Sequence, residues 1–180
     1  MKIIVTILFI ASTMVGNMVL AQTAAPKTDS PMDVFRAWEG HWQGEGSIQR
    51  GPRQPEKSFV NEYITRKLNG TIVVVEGIGT KTGITSNKDT VVHHAFGVIN
   101  FDQASNTYKF QTYLADGRTS SAWFNVEGAG KYQWGFDVPN GKIRYTITID
   151  TEKKTWFEIG EFTTDGNRWM KFFEMNLKKV

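Results

Sequence analysis

The chain has 180 residues, with 21 Lys and Arg against 18 Asp and Glu for a formal net charge of +3, 13% aromatic residues and no Cys. That length fits one domain with a tail, and a 40% hydrophobic fraction is too high for a chain that stays disordered for want of apolar surface to bury. Without Cys there is no disulfide, thiolate metal site or cysteine nucleophile, and without a long run of Lys or Arg there is no basic stripe, so nucleic acid is not an expected partner.

The first segment reads as an export signal. Lys2 gives a positive start, Ile3 to Ile10 is almost unbroken apolar sequence, and Val19-Leu20-Ala21 supplies the residues a signal peptidase needs. Residues 1–21 are therefore expected to be removed before Gln22; the competing reading, an uncleaved anchor, is weakened by Thr6, Ser12, Thr13, Gly16 and Asn17 within the run. An exported, cysteine-free chain suits a bacterial periplasm or exterior, with no stable membrane insertion after cleavage. Residues 22–30 (QTAAPKTDS) read as a flexible spacer, and residues 31–180 as the domain. Ser30 can cap a helix that Pro31 opens, Asp33 sits where a capping-box acid belongs, and Val34, Phe35 and Trp38 give an apolar face. The pattern predicts one short helix over 31–39, stopped by Gly40.

From there the period is two. In Lys142 to Asp150, Ile143, Tyr145, Ile147 and Ile149 share one face, and in Lys131 to Val138 so do Tyr132, Trp134, Phe136 and Val138. Turn signals such as Asn69-Gly70, Asp116-Gly117, Asn140-Gly141 and Asp165-Gly166 divide the rest into strands near 41–50, 57–68, 71–79, 90–100, 107–114, 118–126, 131–138, 142–150, 155–163 and 168–178. Links this short force antiparallel neighbours, and closing the meander removes its two exposed edges. Glycines within strands (Gly44, Gly46, Gly77, Gly79, Gly97, Gly135 and Gly160) suit a small barrel better than the alternative two-sheet sandwich. The expected fold is all-β, an antiparallel up-and-down β-barrel of about ten strands. Polar faces carrying Lys142, Arg144, Glu158 and Lys171 leave no continuous lipid-facing band, which argues against an outer-membrane barrel.

Gly40-His41-Trp42-Gln43-Gly44-Glu45-Gly46, with the short helix before it, resembles the start of the calycin superfamily: lipocalins, fatty-acid-binding proteins and relatives. The Trp-x-Gly-x-Gly string is similar to nitrobindin-like haem-binding barrels and to a family of uncharacterised bacterial secreted proteins, which also show something like Leu68-Asn69-Gly70 and Asp165-Gly166. The resemblance implies a closed end plugged by Trp42 and covered by the helix, with a late basic residue, Arg168 as the counterpart, stacked on that ring. It also implies a proximal haem ligand in the nitrobindin type as a His late in the barrel. No His follows His94, so no cofactor is expected, and haem held by His94, Tyr or Met is the alternative.

Adjacent strand residues point oppositely, so His93 and His94 cannot share a metal ion, and none is expected. Val92, His94, Phe96 and Val98 form the more apolar face and put His94 inside; Val91, His93, Ala95 and Ile99 are nearly as good. No nucleophile, His-Glu-x-x-His or paired-carboxylate motif stands out. Aromatics recur in separate strands (Tyr63, Phe110, Trp134, Phe136, Tyr145, Trp156 and Trp169), and a ten-strand barrel is wide enough to enclose a small apolar ligand. Arg66 and Arg144 would serve a carboxylate ligand only if they faced inward. The leading expectation is a secreted or periplasmic protein that binds a small apolar or amphipathic ligand through His94, Tyr63, Trp134 and Tyr145, without catalysis. The alternatives are a haem-type redox protein or enzyme using an inward His, and an envelope interaction protein with a filled barrel.

Overall fold

The computed structural model describes residues 30–82 and 88–180; the expected leader and nearly all of the spacer lie outside the described residues. Ten strands follow one another: β1 (Gly40–Ile48), β2 (Glu56–Lys67), β3 (Ile72–Thr82), β4 (Asp89–Asp102), β5 (Thr107–Leu114), β6 (Thr119–Gly128), β7 (Lys131–Val138), β8 (Gly141–Asp150), β9 (Thr155–Thr163) and β10 (Met170–Lys179). Each pairs antiparallel with the next, and β1 closes on β10 from Trp42 opposite Lys179 to Ile48 opposite Phe173. The ten described strands therefore form a closed barrel, with no open sheet edge among them.

The expected two-turn helix is instead a 3₁₀ helix, Pro31–Phe35, ending in a turn. Ser30 caps it as read, its hydroxyl accepting from the Met32 N–H at 3.2 Å. Asp33 does not close a capping box; its carboxylate takes Arg36 at 2.8 Å and, from β2, Arg66 at 2.9 Å. Tertiary contacts fasten this segment more than helix propensity does. The Tyr108 hydroxyl donates to the Pro31 carbonyl and the Tyr132 hydroxyl to the Val34 carbonyl, both at 2.8 Å. Phe35 is thereby held among Trp38, Tyr108, Phe124 and Tyr132 with ring centroids 5.3–5.8 Å apart.

This aromatic group seals one end of the barrel. Trp42, 1% exposed, lies beneath it and donates its indole N–H to the Trp38 carbonyl at 2.7 Å. Trp156 bridges the layer, its ring 4.8 Å from Trp38 and 5.8 Å from Trp42. The cation over Trp42 is Lys179, whose Nζ stands 5.2 Å from the ring centroid. Arg168 lies in the loop between β9 and β10, at the opposite end, because β10 runs its whole length before reaching Trp42.

Candidate ligand site inside the barrel

Each strand sends alternate residues inward, and the strand partners of known interior residues fix the parity of the rest. On β8 the inward set is the expected one, with Ile147 and Ile149 buried and Tyr145 enclosed above them. On β7, Tyr132, Trp134 and Phe136 also point inward. On β4 the parity is opposite to the expected one. Gly79, an interior position of β3, pairs with His93, and a Cβ at Gly79 would stand 3.2 Å from the His93 Cβ. His93 therefore lies on the interior face at the rim, where burial chiefly, with the charges of His94, Arg118 and Arg50, holds its pKa below the usual value. His94 points outward, 42% exposed, and bonds Glu76 at 2.8 Å. The cause is that Gly97, Ile99 and Phe101 carry the interior face of β4, so Phe96 is left outside, 39% exposed.

Tyr63 is likewise outward, 41% exposed and stacked on His41 at 4.3 Å, because Val60 and Ile64 hold the inner face of β2. Of the four expected ligand residues, the interior thus brings together Trp134 and Tyr145, whose rings stack at 4.1 Å and 11°, and not His94 or Tyr63. Phe110 packs edge-on to Trp134 at 4.9 Å. Arg144 faces out, stacked on Trp169 at 3.9 Å and paired with Glu161 at 2.8 Å. Arg66 is engaged by Asp33 beside the sealed end.

Two interior residues were not foreseen. Glu62 and Glu158 both point into the barrel, although Glu158 reads from the sequence as part of an outer polar face. Glu158 lies between Trp156 and Gly160 on the inner face of β9, and it is buried. Its two carboxyl oxygens accept the indole N–H of Trp134 at 3.3 Å and of Trp156 at 3.2 Å. Burial pushes its pKa up to about 7, against the downward pull of those two donors. Glu62 stands between Val60 and Ile64, opposite Trp42 on one side and Gly77 on the other. A Cβ at Gly77 would lie 2.6 Å from Glu62 Oε1, so only glycine leaves the carboxyl its place there. Burial, with the nearby charge of Glu158, pushes the Glu62 pKa up to about 8. The signal was present in both strands: Val60-x-Glu62-x-Ile64 and Trp156-x-Glu158-x-Gly160-x-Phe162 each place a carboxyl within an otherwise apolar face.

Glu62 and Tyr145 are surrounded by protein yet keep accessible surface, as groups lining an internal space do. No described residue gives a hydrogen bond to the Glu62 carboxyl or to the Tyr145 hydroxyl. Val75, Phe136 and Phe173 are also only partly covered. Two open grooves lie beside the 3₁₀ helix: one of about 300 Å³ is lined by the ion-paired Asp33, Arg36 and Arg66, and one of about 440 Å³ mostly by small and apolar residues beside Tyr132, whose hydroxyl is already bonded to the Val34 carbonyl. The unpartnered Glu62 carboxyl and Tyr145 hydroxyl lie inside the barrel, and the site is placed there; two further buried groups without a partner, Trp38 Nε1 and Arg66 Nε, belong to the sealed end. Among the described residues no three His, Asp or Glu side chains are arranged to hold a metal ion.

No protein-family model matches the chain, and no curated protein matches its sequence. Among solved structures it is similar to Rv2717c from M. tuberculosis, at a TM-score of 0.59 and 10% identity over 84% of this chain and 98% of that one. It is also similar to the S-type phycobiliprotein lyase CPES from Guillardia theta, at a TM-score of 0.55 and 10% identity over 84% of this chain and 93% of that one. The fold shared with both is a closed antiparallel β-barrel, here of ten strands. At this identity the likeness concerns architecture, and the ligand is argued from the interior itself.

Proposed function

We propose that this chain is an exported carrier that binds a small apolar or amphipathic molecule in the barrel half remote from the 3₁₀ helix and does not transform it. The observation that carries the reading is the contrast between the two halves. Near the 3₁₀ helix, Phe35, Trp38 and Trp42 leave almost no surface. Beyond Trp156 the enclosed Glu62 and Tyr145 retain surface, with aromatic walls at Trp134, Phe110 and Phe136. Aromatic walls with a few unpaired polar groups are the usual make-up of a small-molecule site. Export is supported by Lys2, the apolar run after it and Ala21.

The test is a titration of an environment-sensitive apolar dye, long-chain fatty acids and haem, read by Trp fluorescence and absorbance, against wild type, His94→Ala and Val75→Phe. Saturable binding that survives His94→Ala and weakens in Val75→Phe, with circular dichroism unchanged, is the expected result. Haem binding with a discrete absorbance band would instead favour a redox role, with His93 as the interior imidazole. Failure of every ligand to bind would favour the filled-barrel interaction protein, a reading supported by the exposed neighbours Phe96 and Tyr113 on the outer surface.

A further inference from the structure

We propose that the interior ligand is an aromatic organic cation whose nitrogen still carries a hydrogen, bound with that N–H on the Glu62 and Glu158 carboxyls and its ring against the Trp134 and Tyr145 walls. This rests on the carrier reading and specifies the ligand it leaves open. The argument begins with an imbalance of donors and acceptors. Two carboxyls stand inside an apolar barrel, Glu62 between Val60 and Ile64 and Glu158 on the Trp134 and Trp156 indoles, and the charge of Glu158 acts on Glu62. Among the described residues two indole N–H groups reach these carboxyls, and both go to Glu158. Glu62 receives none, and the Tyr145 hydroxyl, close enough to feel the Glu158 charge, is also without a partner.

Nor does any described residue supply a counter-charge. The inward cations are Lys179, which sits over Trp42 and reaches the Ala37 carbonyl at 3.4 Å, and Arg66, which is held by Asp33. Neither acts on Glu62 or Glu158, and His93 is at the rim. Enclosed carboxyls without a cation take up protons, which is the state in which both are poised near neutrality. A ligand that arrives with a positive charge and an N–H removes the need for that proton. The N–H donates to a carboxylate oxygen, the carboxyl proton leaves to solvent, and the Tyr145 oxygen can accept a second N–H. A charge-assisted bond in an enclosed site is the strong kind. An anionic ligand would meet like charge, and a purely apolar one would leave Glu62 unsatisfied. The stacked Trp134–Tyr145 pair adds an aromatic wall, on which flat cations are favoured.

The full chain is titrated at about pH 7 with three fluorescent probes of similar size: proflavine, a cation with N–H donors; N-phenyl-naphthylamine, which is neutral; and anilinonaphthalene sulfonate, an anion. Calorimetry in two buffers of different ionisation enthalpy counts protons. Proflavine is expected to bind about tenfold or more tighter than the neutral probe and to release protons to the buffer. Glu62→Gln, and Glu158→Gln as an independent second variant, should each collapse that preference and reduce the proton release, whereas His94→Ala should keep both. If the neutral or anionic probe binds and proflavine has no advantage, or keeps its advantage in both Gln variants, the cation proposal is wrong and the carrier reading stands. If none of the three binds to a folded wild type, the carrier reading fails and takes the proposal with it.

Discussion

The indole N–H of Trp134 donates to Oε1 of Glu158 at 3.3 Å, across a separation of 24 residues in sequence. With the matching bond from Trp156, it offers the ionised carboxylate two donors, and burial still wins, since the Glu158 pKa remains up at about 7. Trp134→Phe keeps a ring in the wall and removes one donor. A loss of about 1–2 kcal/mol by urea unfolding is expected, larger near pH 8 than near pH 5, because the missing bond favours the charged form. An equal loss at both values would mean that the carboxyl keeps its proton throughout.

The two carboxyls also set a pH dependence of opposite sign to the usual acidic one. Glu62 and Glu158 are raised from 4.5 to about 8 and about 7, so between those limits the unfolded chain has released protons that the folded chain still holds. Stability should therefore fall as pH rises from about 5 to about 8 and level off above, by a few kcal/mol in all. Glu62→Gln removes one of the two titrations and should flatten the fall while raising stability at pH 8. Thermal melts of both proteins over that range decide it, and a wild-type midpoint that rises with pH would contradict the enclosed position of the pair.

Trp42 joins the barrel floor to the N-terminal turn through its bond to the Trp38 carbonyl. Trp42→Ala should cost about 3–5 kcal/mol, the range for a large ring removed from a packed core. Lys179→Met, which removes only the cation above that ring, should cost about 1 kcal/mol or less. Denaturant melts that gave the two variants similar losses would show the charge, and not the packed ring, to be the stabilising feature.

Legibility in the sequence follows from how many residues vote on a feature. Closure and strand order rest on ten alternating segments with short turns, so an error in one leaves the fold intact; β5, β7 and β9 match their expected bounds residue for residue. The face of β4 rests on a close comparison between Val92, His94, Phe96 and Val98 and the set containing His93 and Ile99. The pattern favours the wrong face because Gly97 and Gly79 contribute to the interior while adding nothing to its hydrophobicity. Glu62 and Glu158 are hidden in the sequence for the complementary reason. Charge assigns a residue to the outer face by default, whereas the apolar neighbours at i−2 and i+2 assign both to the inner one. The N-terminal segment had helical signals, and its actual form is set by Tyr108, Tyr132 and Arg66, which come from strands far along the chain.

Gly160 and Gly77 line the interior at two contrasting positions, and substituting them separates packing from chemistry. A methyl at Gly160 would stand 2.7 Å from Tyr145 Cε1 and 2.9 Å from the Phe173 Cβ, and the latter is fixed to its backbone and cannot swing away. Gly160→Ala should cost about 1–3 kcal/mol and weaken every interior ligand alike, since it pushes Tyr145 into the binding space. At Gly77 the atoms met are the oxygens and Cδ of Glu62, the far end of a flexible side chain. Gly77→Ala should therefore cost less stability than Gly160→Ala yet move the Glu62 carboxyl, lowering affinity for a cationic probe more than for a neutral one. Parallel melts and probe titrations on the two variants test this. If both variants lost cationic and neutral probes in the same proportion, the Glu62 carboxyl would have no part in choosing the ligand.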